Sequence, residues 1–476
     1  MLDRSGCDMK KYERCVFIMA DGARDDLFRY LLDNGDLPNI SNYVVENGSY
    51  KTAVSVFPST TGPAYTPTLL GKFPGRCNFP GIRWFDRNVY SKKLFSFNRF
   101  RSYIGPEIYL MNRDVSSVTP TLFEIFPNSI NILNELTRGI SNGGDKTKLR
   151  KVYLKIKSHF TGSCDQVDET ATEILLDSIK HMPDLIYVVF LGIDTYSHIK
   201  HPFHDKVIDS YKRIDRSVGL LCERLRLLGA LEDTLIVMVS DHGLTQTHSH
   251  FDTIKYFDTK GYKTFYYPNV FRNFLSADSS VMVSGNSMAH VYIKYNGSWN
   301  YRSRFEDLEK LVYSLNEREE IDIISVRDND NNVRIISERG ECITWLDEDD
   351  HIHYQRLKDD PLGLNFPEKM NLSEFLRLSC KTNYPDSLLQ IIQLFESPRS
   401  GDIILSAKEG YDLRSHHENP EHSSSHGSLI GDHMLVPLVI NERIDCENIR
   451  TVDLYPTILN MMGVRIPNDV DGKVLV

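Results

Sequence analysis

The chain has 476 residues, of which 41% are hydrophobic and 25% are charged, and this composition is that of an ordinary globular protein. A chain of this length can bury a large core and form two or three domains. The net charge of -10 argues against a protein that coats nucleic acid, because such proteins carry basic surfaces. It leaves room for a small phosphorylated substrate, since a bound metal ion reverses the local field.

The sequence predicts a cytoplasmic protein without a transmembrane segment, and it does not set the oligomeric state. Residues 1–15 carry charges but no apolar stretch of the kind found in signal peptides. The longest apolar run, at 185–193, is too short to span a bilayer. The eight cysteines are scattered without a CxxC pair, which indicates reduced thiols rather than a disulfide framework.

Short apolar runs rich in β-branched residues recur along the first half of the chain, and each ends at polar residues. They are VFIMA (16–20) before Asp21, TAVSVFPS (52–59), DLIYVVFLGI (184–193) before Asp194, and TLIVMVS (234–240) before Asp241. Such runs are typical of parallel strands that are buried on both faces. Helical stretches lie between them at 25–46, 168–181 and 205–229. This alternation predicts an α/β fold with a mostly parallel sheet sandwiched by helices.

The stretch FPSTTGPAYTP, residues 57–67, places three adjacent hydroxyl groups before a proline. Taken alone, it is typical of a capped helix with Pro63 in its first turn. In open α/β sheets, however, ligands bind outside the carboxyl ends of the strands. Three aspartates follow predicted strands at that same edge, which favours a functional site over four unrelated helix caps.

The second half of the chain contains a charge-rich segment, and we predict a small inserted α/β or β-rich subdomain there. The insertion spans 296–385 and includes the strand-like pieces VRIIS and CITWL. The remaining residues, 1–295 and 386–476, would form the core. HVYI (290–293) and GDIILSA (401–407) flank the insertion, and we interpret both as core strands.

Eleven of the sixteen histidines fall in three windows, at 198–204, 242–250 and 416–433. Histidine is the commonest side-chain metal ligand, and carboxylates complete such sites. Asp194 with His198, and Asp241 with His242, could each chelate one ion at a strand end. Two neighbouring ions can hold the attacking and the leaving oxygen of a displacement at phosphorus.

At this point the chain resembles the alkaline phosphatase superfamily, and within it the type I phosphodiesterase/nucleotide pyrophosphatase branch. The similar pieces occur in the family's order along nearly the whole chain outside the insertion. They are FIMADGAR (18–24), LPNISNYVVENGS (37–49), VFPSTTGPAYTPTLLGKFPGR (56–76), GIRWFDR (81–87), FLGIDTYSH (190–198), VSDHG (239–243), SSHGSL (424–429), VPLVI (436–440) and VDLYPTILNMMGV (452–464).

The resemblance implies two divalent metal ions, usually zinc in this family, although manganese or iron would also suit mixed histidine and aspartate ligands. It implies a nucleophile two residues before the helix proline, at Thr61. The implied ligands of one ion are Asp194, His198 and His426, and those of the other are Asp21, Asp241, His242 and Thr61.

The implied reaction is hydrolysis of a phosphodiester or pyrophosphate bond of a nucleotide-like substrate through a phosphothreonine intermediate on Thr61. Two positions depart from the family pattern. Ile82 stands where relatives often carry an asparagine that holds a phosphate oxygen, and Asn78 or Arg83 could substitute for it. Ala64-Tyr65 replaces the usual Asn-His.

Other functions remain open on the same pattern. A phosphomonoesterase or a phosphonate hydrolase would share the metal ligands, and a catalytically inactive binding or scaffold protein is a further alternative. The sequence Thr-Gly-Pro-Ala-Tyr at 61–65 lacks the Cys/Ser-x-Pro-x-Arg motif of sulfatases, which argues against that class.

Overall fold

The computed structural model describes residues 11–93, 96–148, 150–151, 154, 164–414 and 421–476. Cys7 and two members of the third histidine window, His416 and His417, lie outside the described residues. The described strands, numbered in chain order, form two large sheets and three two-stranded ribbons. The described α-helices are Asp25–Asp33, Pro38–Ile40, Thr66–Leu70, Arg87–Lys92, Met111–Asp114, Leu122–Ile125, Cys164–Ser178, Gly192–Ile199, Asp205–Leu227, Thr253–Thr259, Phe305–Asn316, Leu372–Ser379, Ser387–Glu396, Gly431–Met434 and Leu454–Met461.

The first sheet has seven strands and is mostly parallel, as predicted. In spatial order its strands are β22 (Ile449–Arg450), β2 (Ser49–Val54), β21 (Leu435–Ile440), β7 (Thr234–Val239), β1 (Arg14–Ala20), β6 (Leu185–Phe190) and β5 (Ser129–Ile132). Strand β21 is antiparallel to both of its neighbours, and the other pairs run parallel. The carboxyl ends of β1, β2, β6 and β7 therefore meet at one edge.

Strand β1 shows why its sequence is a continuous apolar run. Successive side chains of a strand point to opposite faces, and all residues of Cys15–Ala20 are buried. Both faces of the sheet are therefore covered. The helices Cys164–Ser178 and Asp205–Leu227 match two predicted helical stretches, and the first packs on β6.

The strand predicted at 52–59 ends earlier than its apolar pattern suggests. Strand β2 stops at Val54, and the chain then leaves the sheet before the hydroxyl cluster. Pro58 has no N–H group to donate to a strand ladder, which is the physical reason that the pairing cannot continue through it.

The second sheet has nine strands, and all its neighbours pair antiparallel except the first two. In spatial order they are β10 (Thr264–Tyr266), β11 (Ser279–Ser284), β12 (Met288–Ile293), β18 (Ile403–Ala407), β13 (Ile321–Arg327), β14 (Val333–Ser337), β15 (Gly340–Leu346), β16 (His351–Asp359) and β17 (Lys369–Asn371).

HVYI and GDIILSA, interpreted above as core strands, are not part of the seven-stranded sheet. Both segments are strands of the second sheet, β12 and β18, and β18 pairs with β13 from the charge-rich segment. An apolar run predicts a buried strand but not its partner, because pairing is decided by residues far away in the chain. The second sheet crosses both predicted boundaries of the 296–385 insertion, and the division into core and insertion stays a prediction.

The remaining strands form three short ribbons. They pair β3 (83–85) with β4 (100–102), β8 (245–246) with β20 (424–425), and β9 (249–250) with β19 (411–412). The seven cysteines in the described part of the chain are all free thiols, which agrees with the scattered pattern. Among the described residues, no helix combines the length and the apolar character needed to cross a membrane.

Candidate active site

Three aspartates meet where β1, β6 and β7 end. Asp21 follows β1 directly, and Asp241 lies two residues beyond β7. Gly22 follows Asp21 in the chain, and its N–H donates to Asp241 Oδ1 over 3.1 Å. Gly22 has a φ of +76°, and a Cβ atom there would lie 2.8 Å from the Cα of Asp194. Only glycine suits this close approach, which brings the three carboxylates together.

The third aspartate is carried by the helix Gly192–Ile199, and a buried carboxylate fixes where that helix begins. Asp168 accepts hydrogen bonds from the backbone N–H groups of Leu191 and Gly192 over 2.9 and 3.1 Å. One helical turn then separates Asp194 from His198, which places both on one face. His198 Nε2 lies 3.2 Å from Asp194 Oδ1.

Thr61 is the hydroxyl that faces these carboxylates. Its Oγ1 donates to Asp21 Oδ1 over 3.3 Å and lies 3.2 Å from His242 Nε2. Gly62, with a φ of +96°, turns the chain, and Pro63 opens the helical turns that follow. Ser59 instead donates its hydroxyl to the carbonyl oxygen of Ser428 over 2.8 Å. Ser59 therefore holds the loop, and of these two hydroxyl groups Thr61 is the one that lies beside the carboxylates.

The structure brings the predicted ligands into two groups that share His242. Ligand atoms of Asp194, His242 and His426 lie within 4.8 Å of one another, and so do those of Asp21, Asp241 and His242. The imidazoles of His242 and His426 stack with centroids 3.7 Å apart. His198 adjoins the first group through Asp194. Besides Thr61, six residues were predicted as metal ligands, and all six therefore lie together next to Thr61.

The ring orientation of three histidines suits metal binding. Nδ1 of His198 lies 2.8 Å from the carbonyl oxygen of Ser424, and Nδ1 of His426 lies 2.9 Å from that of Ser59. His242 makes the same contact with its neighbour Gly243 over 3.1 Å. A carbonyl oxygen only accepts, so each Nδ1 carries a proton, and in the neutral ring the Nε2 atom then keeps a lone pair. A hydrogen bond from the far nitrogen of the ring fixes how a metal-binding histidine is oriented.

Electrostatics also favour a cation at this site. Burial raises the pKa of Asp241, although His242 lowers it. Burial likewise acts to raise the pKa of Asp194, but the neighbouring His198 outweighs burial and holds that pKa below its usual value. Desolvation, followed by the neighbouring His242 and His198, holds the pKa of His426 well below the ordinary value, so that ring is neutral.

Two buried oxygens of the cluster, Asp194 Oδ1 and Asp241 Oδ2, have no hydrogen-bond partner among the described residues. A buried anionic oxygen without a partner is costly, and coordination to a cation removes that cost. Carboxylate oxygens and neutral imidazoles are ligands that divalent zinc, manganese or iron accept. The residues present therefore fit divalent metal ions.

The two candidate substrate residues make other contacts. Asn78 Oδ1 accepts from the hydroxyl of Ser397 over 3.0 Å, and Asn78 lines a charged cleft of about 550 Å³. Arg83 lies on β3, buried, and donates to the hydroxyl of Ser102 and to the carbonyl oxygen of Val283. The described contacts of both side chains are with the scaffold, and their role in substrate binding stays a prediction.

Sequence reasoning gave too little weight to three residues around the ligands. The Tyr65 hydroxyl donates to Asp21 Oδ2 over 3.4 Å, so the departure from the family's Asn-His pair adds a contact to a ligand. Asn286 pairs with His426 in an isolated bridge. The ring of His422 lies 4.3 Å from that of His198. For His422, the clustering of histidines in the sequence was the available signal. No sequence signal pointed to Asn286.

Comparison with known proteins gives relatives of low identity with the same fold. Phosphonoacetate hydrolase from Sinorhizobium meliloti 1021, in complex with phosphonoformate, is 16% identical, with a TM-score of 0.56 over 95% of this chain and 96% of that one. Murine ectonucleotide pyrophosphatase/phosphodiesterase 5, an inactive variant in complex with AMP, is 13% identical, with a TM-score of 0.54 over 96% and 97%.

A curated relative is GPI ethanolamine phosphate transferase 1 of Mus musculus, which is 24% identical over 243 residues. That region is 50% of this chain but 24% of the relative, so the chain matches only a part of that protein. The family model of type I phosphodiesterase/nucleotide pyrophosphatase matches residues 15–429, from the first core strand to beyond His426. The chain therefore belongs to the type I phosphodiesterase/nucleotide pyrophosphatase family, within the alkaline phosphatase superfamily.

Proposed function

We propose that the protein hydrolyses phosphodiester or pyrophosphate bonds of small nucleotide-like substrates, with Thr61 as the nucleophile. Membership of the family supports phosphoester hydrolysis as the general activity. The observation that carries the finer proposal is the position of Thr61 Oγ1, between Asp21 Oδ1 and His242 Nε2. A hydroxyl becomes a competent nucleophile when a neighbouring base or a metal lowers its pKa, and these are metal-ligating groups.

Two divalent metal ions, when bound, would supply Lewis-acid stabilisation of charge on the attacking and leaving oxygens. Asp21, Asp241 and His242 would hold one ion beside Thr61, and Asp194, His198 and His426 would hold the other. The Thr61 hydroxyl loses its proton as Oγ1 attacks phosphorus in line, the bond to the leaving oxygen breaks with its electron pair going to that oxygen, and a phosphothreonine forms. Water then releases the phosphoryl group and restores the Thr61 hydroxyl.

We propose zinc as the metal, with manganese or iron as the alternatives that the same ligands accept. Metal analysis of the purified protein by mass spectrometry tests this directly. We expect about two metal equivalents per chain, lost together with activity on dialysis against EDTA and restored by the metal identified. Full activity after complete metal removal would contradict the proposal.

The nucleotide-like substrate class rests on family membership and on the AMP complex of the murine structure. Phosphonate hydrolysis is the second candidate, because the phosphonoacetate hydrolase has an equally close fold. Phosphomonoester hydrolysis and a catalytically inactive binding protein are the further alternatives. The cytoplasmic location also stays a prediction, which fractionation of cells expressing the tagged protein would test.

A panel of substrates separates these functions. We expect faster hydrolysis of thymidine-5′-p-nitrophenyl phosphate and bis-p-nitrophenyl phosphate than of p-nitrophenyl phosphate or phosphonoacetate. A preference for the monoester or for the phosphonate would replace the diesterase assignment by the corresponding alternative. Stoichiometric metal without turnover of any of the four would favour the binding protein.

Substitution of Thr61 tests the nucleophile. Thr61→Ala removes the hydroxyl and should lower kcat by about 10³-fold or more on the diester, as loss of a covalent nucleophile does. Thr61→Ser is the matched control, since it keeps the hydroxyl, and it should retain activity within about 100-fold of the wild type. A Thr61→Ala variant as active as Thr61→Ser would contradict the mechanism.

A further inference from the structure

The chain that leads to Thr61 leaves the first sheet at the end of β2, and two buried glutamines then hold it. Gln390 Oε1 accepts from the backbone N–H of Phe57 over 3.0 Å, and Gln393 Nε2 donates to the carbonyl oxygen of Phe57 over 3.0 Å. Both glutamines lie on the helix Ser387–Glu396 and are 0% exposed. This pair, the glutamine clamp, satisfies two backbone groups that a neighbouring strand would otherwise have to satisfy.

The remaining atoms of both side-chain amides also have partners, which fixes how the amides are oriented. Gln390 Nε2 donates to Asp386 Oδ2 over 2.9 Å, and Gln393 Oε1 accepts from the backbone N–H of Gly75 over 2.7 Å. A carboxylate only accepts and a backbone N–H only donates, so reversing either amide would place like groups against each other. Asp386 is itself held by the guanidinium of Arg450 over 2.6 and 2.8 Å. The glutamine clamp is therefore anchored to other parts of the fold.

Hydrogen-bonded turns connect the clamped residue Phe57 with Thr61. The N–H of Thr60 donates to the carbonyl oxygen of Pro58 over 2.9 Å, and the N–H of Ala64 donates to that of Thr60 over 3.1 Å. Thr61 lies inside the second of these turns. The glutamine clamp therefore holds the base of the same hydrogen-bonded segment that presents the Thr61 hydroxyl to the carboxylates.

We propose that Gln390 and Gln393 are positioning residues that set where the Thr61 hydroxyl meets phosphorus. The proposal rests on the proposed function, in which Thr61 is the nucleophile. The hydrogen bonds of both glutamines go to backbone groups and to Asp386, so the clamp acts through the loop and not on the metal ligands. A misplacement of reacting groups by about 1 Å can slow a reaction by about 10²-fold, so fixing the loop affects catalysis without any contact to the substrate.

Gln393→Met tests the proposal, because methionine has nearly the shape of glutamine but cannot donate to the carbonyl oxygen of Phe57. The variant should lower kcat/KM for thymidine-5′-p-nitrophenyl phosphate by about 10- to 100-fold, since this constant reports the attack by Thr61. The inhibition constant of thymidine 5′-phosphate should stay within about threefold of the wild type, because the groups that bind phosphate are unchanged. Metal content by mass spectrometry should also be equal.

Ile392→Ala is the matched control for a loss of stability. Ile392 lies on the same helix and is 7% exposed, but it is outside the apolar cluster that contains Phe57. This variant should unfold at a lower urea concentration than the wild type and keep its kcat/KM within about threefold. A Gln393→Met protein with the kcat/KM of the wild type would overturn the proposal. An equal loss of kcat/KM in Ile392→Ala would overturn it as well, because the effect would then follow stability alone.

Amide hydrogen exchange tests the clamp independently of activity. Gln390→Met removes the acceptor of the Phe57 N–H, should give the same kinetic result as Gln393→Met, and replaces that variant if it does not fold. A peptide that spans residues 55–62 should exchange faster in both methionine variants than in the wild type, and at the wild-type rate in Ile392→Ala. Unchanged exchange in the methionine variants would overturn the clamp. A wild type inactive toward the diester, with the difference in exchange present, would instead contradict the proposed function.

Discussion

At the scale of single residues, His290 makes folding stability depend on pH. It is fully buried on β12, its Nε2 lies 2.9 Å from the carbonyl oxygen of Pro80, and its Nδ1 accepts from the N–H of Gly401. Burial lowers the pKa of His290 to about 4, and Arg87 adds to the shift. In the unfolded chain the imidazole of His290 binds a proton near pH 6.5. In the folded protein it stays neutral until the pH is much lower.

The stabilising contribution of neutral His290 is therefore present above the unfolded pKa and is lost as the pH falls toward the folded one. Between about pH 7 and about pH 5 the loss is on the order of 2 kcal/mol. His290→Gln keeps a donor for Pro80 but does not titrate. We expect its free energy of unfolding in urea to fall less over this interval than that of the wild type. Parallel pH dependences of the two proteins would contradict this account.

Residues directly after strands could be predicted, and residues defined by distant packing could not. Asp21, Asp194 and Asp241 follow apolar runs, so the direction of the chain alone places them at one edge. Thr61 followed from its distance to Pro63 in a family pattern. Whether Asn78 faces a substrate depends on Ser397, more than three hundred residues away. A linear pattern carries no information about such a contact.

At the scale of secondary-structure elements, the helix Gly192–Ile199 depends on Asp168 for its position. Asp168→Ala leaves the N–H groups of Leu191 and Gly192 without their acceptor and frees the turn that carries Asp194. We expect metal affinity of the Asp194 group to fall by about 10- to 100-fold, the usual effect of losing a residue that holds a metal ligand in place. Competition with a chromogenic chelator measures it.

Asp177 provides the matched control for that substitution. It lies on the same helix, Cys164–Ser178, but its side chain is 72% exposed and pairs with Lys180. Asp177→Ala should leave metal affinity at the wild-type value. If the two variants bound metal equally well, the anchoring role of Asp168 would have to be abandoned.

Elements were predicted well where one local pattern decides them, and less well where pairing decides them. The apolar runs of β1, β6 and β7 are long enough to identify buried strands. The segments of β12 and β18 have equally clear runs, yet they belong to the other sheet. Their partners include β13, which lies on a charge-rich part of the chain. Composition of that part suggested a separate unit, whereas backbone pairing joins it to its flanks.

At the scale of the whole molecule, backbone pairing joins residues 296–385 to β18 in the second sheet. Removing them would delete β13 to β17 and leave one edge of the buried strand β18 unpaired. Unpaired, apolar strand edges promote aggregation. We expect a chain with 296–385 replaced by a short Gly-Ser linker to aggregate in size-exclusion chromatography and to lose activity.

Replacement of the exposed turn residues Glu348, Asp349 and Asp350 by Gly and Ser is the control for that deletion, because it leaves every strand in place. It should remain monodisperse and active. A monodisperse deletion protein with wild-type turnover would show instead that the segment is an independent appendage.

The late position of strand β21 also decides when the first sheet can form during synthesis of the chain. Strand β21 lies between β2, which leads to Thr61, and β7, which leads to Asp241, although its residues 435–440 come late in the chain. On the ribosome, β2 has no neighbour through which to join the sheet until residues 435–440 emerge. Pairings over such sequence distances form slowly and late. The loop that carries Thr61 therefore cannot take its place beside Asp241 until residues 435–440 have been synthesised.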